Sequence, residues 1–346
     1  MSQENLSFSK ETPRLQIAWD TVSTGLLKTC ARKYFLMIVE GWQGRGVNPH
    51  LLFGLVCHSA REVYYNVMVQ DKSHDEAVKK AILHCMEATG KRLDILECSS
   101  CGSRTDLEIT SKNVCLKCNE DTLHIETAVY FPWHSDEPTK NLKTLIRTIV
   151  WYLDTYKDSD AKLVHLKDGS PACEIWFRFE LPIKSPEDKP YILTGHIDSL
   201  VSYEGTTWFS DLKTTKAMIG SNFFKQFKPD NQIYQYAAGA RIVFEEPVLG
   251  AMIDGAQVAV NFTKFERDII QLTQAQIDEW LKDIQIWIKQ AEAYAKADYW
   301  PMNDKSCHNY GGCEFRGICN KDPASRQNYL ETNFEKRVWD PLRKRS

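Results

Sequence analysis

The chain has 346 residues, of which 43% are hydrophobic and 26% charged, and its formal net charge is −3. These values are typical of a globular protein with a sizeable core, in one large domain or several small ones. A charge so close to neutral does not suggest a non-specific polyanion binder, although acidic surface residues can offset a local basic groove. No run of about 18 apolar residues occurs, which excludes a transmembrane helix. The polar start of the chain has no secretory signal, so we expect a cytoplasmic protein.

The first predicted helix carries an isolated cysteine. Ser23 has the residue type of an N-cap, and apolar residues recur at helical spacing over residues 23–39. Cys30 lies within this stretch beside two basic residues. A lone cysteine is usually a small core residue, and metal ligation is the alternative.

The second predicted helix carries a histidine. Pro49 begins it, and His58 stands one turn after Gly54 and one turn before Glu62. A lone helical histidine is usually structural, so this position by itself predicts no function. A further amphipathic helix is predicted from His74 to about residue 93.

Four of the eleven cysteines form two CxxC pairs, Cys98 with Cys101 and Cys115 with Cys118, separated by thirteen residues. Each pair can present two thiolates to one ion, and a short hairpin can return the second pair to complete a tetrahedron. The spacing predicts a zinc ribbon. A rubredoxin-like iron site and free cysteines are the alternatives. Four protein ligands leave no open position, so we expect a structural role.

The stretch Tyr191–Lys216 predicts a β-hairpin. Two segments rich in β-branched and aromatic residues flank Glu204-Gly205, a two-residue turn. Counting back from this turn places Asp198 opposite Asp211, and side-chain alternation places Lys213 on the face of Asp211. Like charges facing each other across a hairpin are destabilising. A divalent cation would remove that penalty, and the oxygen ligands suit Mg²⁺ or Mn²⁺. The alternative is a solvated charged face.

The hairpin is embedded in further elements. We predict a loop over residues 124–136, a helix over 139–156 and a strand over 173–181 that starts beside Glu174. After the hairpin, we predict a helix from Pro229 on which Gln232 and Tyr236 share a face. A strand region over 248–262 and a long amphipathic helix over 273–297 follow.

Three cysteines near the C-terminus, Cys307, Cys313 and Cys319, are spaced six residues apart. Three thiolates leave a tetrahedral or cubane site one ligand short. Cys30 is the obvious candidate for the fourth ligand.

The order of these motifs resembles the RecB-like branch of the PD-(D/E)XK nucleases. That branch has a helix histidine, then GxxD, D/ExK and QxxxY, matched here by His58, Gly195–Asp198, Asp211–Lys213 and Gln232–Tyr236. One cysteine near the start and three near the end are similar to its iron–sulfur subgroup, which includes AddB nuclease domains and CRISPR-associated RecB-like exonucleases. The zinc ribbon and the C-terminal cysteine spacing depart from the usual pattern, and the spacing leaves the cluster type open.

The resemblance implies a role for each matched residue. His58, Asp198, Asp211 and the carbonyl of Leu212 would bind Mg²⁺ or Mn²⁺, and Lys213 would orient the attacking water and stabilise the charge that develops. Gln232 and Tyr236 would contact DNA or support the site, and His196 would approach phosphate or be structural. The resemblance also implies a 4Fe–4S cluster, with these ligands: Cys30, Cys307, Cys313 and Cys319.

The expected fold is α/β, a restriction-endonuclease-like mixed sheet flanked by helices, with the zinc-ribbon insert and an iron–sulfur staple joining the N- and C-terminal segments. The expected segments are 1–48 with the cluster cysteine, 49–93 with the histidine, 94–122 as the ribbon, 123–270 as the nuclease core and 271–346 with the C-terminal helix and cluster cysteines.

The expected activity is metal-dependent DNA hydrolysis, as a single-strand exonuclease with 5′→3′ polarity implied by the family. Expected partners are DNA and a recombination, repair, CRISPR-adaptation or phage protein, in a bacterial, archaeal or phage-infected cell and away from membranes. A non-catalytic nucleic-acid-binding or assembly subunit that retains the fold is the alternative, which the presence of Asp198, Asp211 and Lys213 disfavours. A sequence-specific endonuclease of the same fold is a third interpretation.

Overall fold

The structure is a computed structural model that describes residues 6–46, 48–106, 115, 117–120, 123–130, 137–244, 247–309 and 312–343. Within residues 91–96, 104–106 and 125–130 the description covers the backbone alone. Contacts divide the chain into two compact units. The described residues of the first unit fall within Met1–Gly46, Asp158–Ala256 and Phe265–Ser346, and those of the second within Val47–Lys157 and Gln257–Lys264. Within these ranges, no helix has both the length and the apolar character needed to cross a bilayer.

The strands in chain order are β1 (Ala18–Trp19), β2 (Trp42–Gly44), β3 (Lys91–Cys98), β4 (Arg104–Asp106), β5 (Leu123–Tyr130), β6 (Lys162–Leu163), β7 (Cys173–Lys184), β8 (Pro190–Tyr203), β9 (Thr206–Thr215), β10 (Val248–Val258), β11 (Thr263–Gln271) and β12 (Phe334–Lys336). The α-helices are α1 (Thr21–Thr29), α2 (Ala31–Tyr34), α3 (Pro49–Met68), α4 (His74–Thr89), α5 (Leu142–Tyr156), α6 (Ser221–Lys225), α7 (Asn231–Val243), α8 (Gln274–Ala297), α9 (Arg316–Cys319) and α10 (Arg326–Asn333).

A mixed seven-stranded sheet is organised around β8. The sheet follows the order β1-β8-β9-β10-β11, and β6 and β7 also pair with β8. β1 runs parallel to β8, whereas β6, β7 and β9 run antiparallel to it. β8, the longest of these strands, therefore pairs with most of the others. Neighbouring strands on both of its edges hold the β8 backbone, and with it the directions of its side chains.

The predicted hairpin is confirmed in its position and its turn. β8 ends at Tyr203, β9 begins at Thr206, and these two residues pair directly. Glu204 and Gly205 both have positive φ angles, 50° and 73°. A two-residue turn with left-handed backbone at both positions matches the right-handed twist of the strands it joins. The short turn thus fixes the register of the whole hairpin.

The ring of Phe177 fixes the distance between α7 and the sheet. Phe177 pairs with Gly195 across β7 and β8. A Cβ on Gly195 would lie 2.7 Å from the ring, and a Cβ on Gly239 of α7 would lie 2.5 Å from it. Both glycines are therefore needed for the close approach of helix, ring and strand. The amide of Gln235 on α7 also donates to the carbonyl of Thr194, at 2.9 Å.

Both ends of the described chain belong to the first unit. β2 and β12 pair antiparallel, and the hydroxyl of Ser7 donates to Asp340 at 2.6 Å. The guanidinium of Arg32 donates to the carbonyl of Trp300 at 2.6 Å. Residues far apart in sequence thus close the unit around the sheet.

The described residues of the second unit form three helices and a small sheet. α3, α4 and α5 pack through buried apolar side chains such as Phe53, Ala81 and Ile149. The antiparallel sheet has the order β4-β3-β5. The guanidinium of Arg147 on α5 binds carbonyls of the turn over residues 259–262 and the Thr263 hydroxyl, which ties that turn to the unit.

The first helix was predicted with the wrong start, and it was wrongly predicted as one continuous helix. Asp20 caps α1, because its carboxylate accepts from the backbone of Ser23, which occupies the third helical position. The chain then becomes extended at Cys30, with φ −163° and ψ 114°, before α2 begins. The break separates two short helices and leaves the cysteine at their junction.

Other elements also differ from the predictions. α4 ends at Thr89 because β3 begins at Lys91. The predicted loop over 124–136 contains β5, whose backbone pairs with β3, while residues 131–136 lie outside the described ranges. The strand region over 248–262 ends at Val258, and β11 after it was missed. The five predicted segment boundaries remain a prediction.

The packing around Phe177 predicts opposite outcomes for two helical glycines. Gly239→Ala should lower the free energy of unfolding by about 1–3 kcal/mol, because overpacking outweighs the helical preference for alanine. Gly25→Ala on α1 should be neutral or stabilising by up to about 1 kcal/mol, since nothing lies within 4 Å of its added methyl group. Urea unfolding measures both changes, and equal stabilities for the two variants would contradict the packing account. Adding Phe177→Leu to Gly239→Ala should recover part of the loss.

Candidate active site and metal-ligand groups

The hairpin brings the carboxylates of Asp198 and Asp211 together. The paired register runs to Ser199 opposite Ser210, one step from the two aspartates. An oxygen of one carboxylate lies within 4.8 Å of an oxygen of the other, and Asp211 is 1% exposed. Two like charges this close repel strongly in a buried setting. Oxygen donors of this kind are the ligands that Mg²⁺ and Mn²⁺ prefer, so the donor set fits a divalent cation.

Lys213 places a positive charge beside these carboxylates. Its ammonium lies 2.6 Å from Oδ2 of Asp211 and donates to Oε1 of Gln232, also at 2.6 Å. Burial alone lowers the pKa of Lys213, but Asp211, Asp198 and Asp230 raise it, and the net result is a raised pKa. The lysine is therefore held as a cation at neutral pH, with its direction set by two acceptors.

Gln232 supports Lys213, and a further residue positions Gln232 itself. Asp230 caps α7, and its carboxylate accepts from the backbone N–H of Gln232 at 2.8 Å and of Ile233 at 3.1 Å. Sequence analysis placed the helix start at Pro229 and missed this cap. An aspartate immediately before the first periodic residues of a helix is an N-cap signal that would have found it.

Tyr236 is mostly buried rather than openly displayed. It is 7% exposed, and its ring meets those of Phe177 and Phe209 edge-on, at centroid distances of 6.1 and 5.9 Å. It also lines a cavity together with His196. Tyr236 thus supports the hairpin face through its ring contacts, and part of its side chain borders the cavity.

Two predicted ligands are placed by their elements. Leu212 lies on β9 between Asp211 and Lys213, with its side chain buried in the sheet. His58 lies in the second unit on α3, where it is half-buried.

The four cysteines of the CxxC pairs form one compact group in the second unit. Their sulfur atoms lie within 4.8 Å of one another, with Cys98 and Cys118 at 3.5 Å and Cys101 and Cys115 at 3.6 Å. Four clustered thiols are a donor set that fits a tetrahedral metal ion. The structure thus brings together every residue predicted for the ribbon site.

Two matching turns present these thiols. Gly102 donates its backbone N–H to the Cys98 carbonyl, and Asn119 does the same to the Cys115 carbonyl, both at 2.8 Å. Both residues have positive φ angles, 67° and 61°, which suit glycine and asparagine. The Ser103 hydroxyl, with backbone N–H groups, lowers the pKa of Cys115 to about 6. A thiol that ionises readily is ready to ligate a metal.

Contacts in the first unit link the segments that carry the four cysteines predicted to ligate a cluster. Backbone N–H of Asn303 donates to Sγ of Cys30 at 3.4 Å, and its carbonyl accepts from the Cys307 thiol at 3.8 Å. Cys313 donates its backbone N–H to the Cys307 carbonyl at 3.0 Å. Burial raises the pKa of Cys319, and the nearby thiols of Cys313 and Cys30 add to this rise, while Arg32 opposes it. Cys30 thus contacts Asn303, which lies 273 positions away in the sequence.

Comparison with known proteins identifies the family. The model of the PD-(D/E)XK nuclease superfamily matches residues 23–320, which include the hairpin, α7 and the four grouped cysteines of the CxxC pairs. The chain belongs to the PD-(D/E)XK nuclease superfamily. Among curated proteins, none matches this sequence.

Two solved structures have a limited likeness to this superfamily member. One is a candidate exonuclease from Eubacterium rectale, with a TM-score of 0.41 and 13% identity over 89% of this chain and 93% of that one. The other is named SSO0001, with a TM-score of 0.25 and 12% identity over 42% of this chain and 59% of that one. Both TM-scores are too low to support conclusions about function.

The paired carboxylates predict a metal-dependent stability. Adding Mn²⁺ to chelator-treated protein should raise Tm by several degrees, because an ion that binds only the folded state stabilises it. Asp198→Asn should lose most of this shift, since one anionic ligand is removed. Differential scanning calorimetry measures it, with Asp168→Asn on an exposed turn as the matched control. An equal Mn²⁺ shift in both variants would contradict the assignment of the site.

Proposed function

We propose that the protein is a metal-dependent deoxyribonuclease that hydrolyses phosphodiester bonds at the hairpin face. The observation that carries this proposal is the convergence of Asp198, Asp211 and Lys213, with the ammonium held by Gln232. Membership of a nuclease superfamily agrees with it. The substrate that we propose is single-stranded DNA, cut from an end with the 5′→3′ polarity that the family resemblance implies.

Asp198 and Asp211 hold the divalent cation in this proposal, with His58 and the carbonyl of Leu212 as further ligands. When bound, Mg²⁺ or Mn²⁺ would activate a water molecule and offset the negative charge of the phosphate. The two aspartates fit this task because their oxygens are close together and one carboxylate is almost fully buried. Their mutual repulsion also makes a cation favourable at this place.

Lys213 has a separate task in the reaction. Its ammonium orients the attacking water and stabilises the additional negative charge that develops on the phosphate oxygens. The contact with Gln232 keeps the ammonium in one direction before substrate arrives. A preorganised donor of this kind typically contributes about 10²–10³-fold in rate.

Zinc is the metal that we propose for Cys98, Cys101, Cys115 and Cys118. The compact group of sulfurs and the two matching turns support a closed tetrahedral site. Such a site leaves no position for substrate. Its role in this proposal is to hold the ends of the ribbon together, without taking part in the cleavage reaction.

A 4Fe–4S cluster is the group that we propose for Cys30, Cys307, Cys313 and Cys319. The contacts through Asn303 and the mutual influence of the thiols support their assignment to one group. The helix break at Cys30 supports it as well, because an extended residue between two helices can direct its sulfur to one partner. The cluster would tie the N-terminal helices to the C-terminal segment.

The test of the proposed function compares two site variants. Asp211→Ala should abolish cleavage of end-labelled single-stranded DNA in Mg²⁺ or Mn²⁺, because it removes a metal ligand. Lys213→Ala should keep metal binding but lose roughly 10²-fold or more in rate. Cleavage rate is measured against metal concentration, and DNA binding is measured in Ca²⁺. Wild-type cleavage by Asp211→Ala would contradict the assignment.

Two outcomes of the same assay separate other possibilities. Wild-type protein that binds DNA in Ca²⁺ but cuts with no metal would be a non-catalytic binding or assembly subunit. His58→Ala should weaken metal affinity, so that higher Mn²⁺ concentrations restore part of the rate. Lys216→Ala, three residues beyond Lys213 on the same segment, serves as the matched lysine control and should retain cleavage.

The ribbon site predicts one zinc ion per chain. Elemental analysis should find about one zinc, as one Cys₄ site requires, and Cys98→Ser/Cys115→Ser should lose it. Cys57→Ala, a buried cysteine on α3 of the same unit, should keep its zinc. Stability should fall in the double variant before the cleavage rate does. Unchanged zinc in the double variant would contradict the site, and iron in its place would identify a rubredoxin-like centre.

The C-terminal cysteines predict a brown protein after anaerobic purification. Absorbance near about 400 nm is typical of cysteine-ligated clusters, and Cys30→Ala should remove it and lower thermal stability. Cys173→Ala in the same unit should keep the colour. If Cys30→Ala retains the chromophore, another residue is the fourth ligand, and His308 is the first to test.

A further inference from the structure

A cavity of about 500 Å³ lies in the first unit beside the hairpin strand β8. Gly195 and His196 of β8 and Tyr236 of α7 form one part of its wall. Residues 20–22 at the start of α1 and the C-terminal residues 338–341 and 343 form the rest. The volume is in the range of small-ligand sites, about 300–1,000 Å³.

The cavity lies next to the hairpin face on which we place the cleavage reaction. His196 precedes Asp198 by two residues on β8, and side chains two apart on a strand point to the same face, roughly 7 Å from each other. This separation is similar to the spacing of one nucleotide along an extended strand. A chain whose phosphate lies at the aspartates would therefore place its neighbouring nucleotide at the cavity.

The cavity offers aromatic side chains and a guanidinium group, both of which can bind a nucleotide. Trp339 and Tyr236 line it, and aromatic side chains stack on bases of any sequence. Arg343 is exposed at its rim and His196 lies in its wall. Guanidinium groups bind phosphate through strong charge-assisted hydrogen bonds.

The acidic residues in the wall are already engaged by donors. Asp340 accepts from the Ser7 hydroxyl at 2.6 Å and from the backbone N–H of Leu342 at 3.1 Å. Asp20 accepts from the backbone N–H and the hydroxyl of Ser23. Burial raises the pKa of Asp20, although these hydrogen bonds oppose the rise. Both carboxylates are thus already held by donors of the protein itself.

We propose that this cavity binds one unpaired nucleotide of the substrate strand, next to the phosphate that is cut. Trp339 and Tyr236 contact its base or sugar, and Arg343 with His196 binds its phosphate. A base in a duplex would first have to leave its stack, which costs a few kcal/mol, so the cavity favours single-stranded ends. This inference rests on the proposed nuclease function and assigns a role to the C-terminal segment within it.

The first test measures binding without cleavage. The probe is thymidine 3′,5′-bisphosphate, one nucleotide with a phosphate on each side, titrated by calorimetry into the full-length protein in Ca²⁺. Arg343→Ala should weaken binding by about tenfold or more, as the loss of a hydrogen bond to a charged group does. Arg337→Ala is the matched control, because Arg337 lies on the same segment and pairs with Glu335. Equal affinity of the two variants, or no binding by the wild type, would overturn the proposal.

A second pair of variants tests the aromatic contact. Trp339→Ala should weaken binding of the bisphosphate by about fivefold to a hundredfold, the scale of a lost base stack, while Trp339→Phe should retain most of it. Trp339 also packs against the core, so thermal unfolding of each variant must first show a folded protein. Arg343 is exposed, and its replacement tests the proposal even if Trp339→Ala does not fold.

Cleavage kinetics complete the test and separate it from the nuclease proposal. Arg343→Ala should raise KM for short single-stranded oligonucleotides far more than it lowers kcat, and should affect duplex ends less. Cleavage that needs Asp211 but has the same KM in Arg343→Ala and Arg337→Ala would overturn the cavity assignment and leave the nuclease function intact. Conversely, nucleotide binding that depends on Arg343 in a protein that never cleaves DNA would support the cavity assignment and contradict the nuclease function.

Discussion

Two neighbouring carboxylates lie on one hairpin of the first unit, and the structure around them must offset their repulsion. The turn at Glu204-Gly205 fixes a register that brings Asp198 and Asp211 within 4.8 Å of each other. Their repulsion would disfavour the hairpin if nothing opposed it. Lys213 supplies one positive charge at 2.6 Å from Asp211. The remaining excess of negative charge favours the divalent cation that we propose for this place.

The elements around the hairpin serve to hold that arrangement. Phe177 fits between Gly195 and Gly239, and this close packing sets α7 against β8. From α7, Gln232 reaches Lys213 and Gln235 reaches the backbone of β8. The rigid sheet and helix thus limit the freedom of the lysine. Preorganised charge of this kind is the largest single contribution in many hydrolytic enzymes.

Much of the local structure was predictable from the sequence, because it depends on near neighbours. The hairpin, its turn and the helices α3 and α8 follow from side-chain periodicity and turn residues. The predicted N-cap at Ser23 was wrong because Asp20, three residues earlier, is the better acceptor for the same helix. β5 and β11 were missed since each is recognisable mainly through the strand that it pairs with, and such pairing is non-local.

The sequence by itself determined the nuclease motifs, their order, the facing positions of the two aspartates and the compact group of four ribbon cysteines. These features rest on short-range geometry: strand alternation, a two-residue turn and the CxxC spacing. Only the tertiary structure decided which groups meet from distant parts of the chain. The contact of Gln232 with Lys213, the contact of Cys30 with Asn303 and the cavity beside His196 all belong to this class. Packing determines these long-range contacts. Only a folded core with close-fitting side chains selects one such contact among the many that an unfolded chain allows.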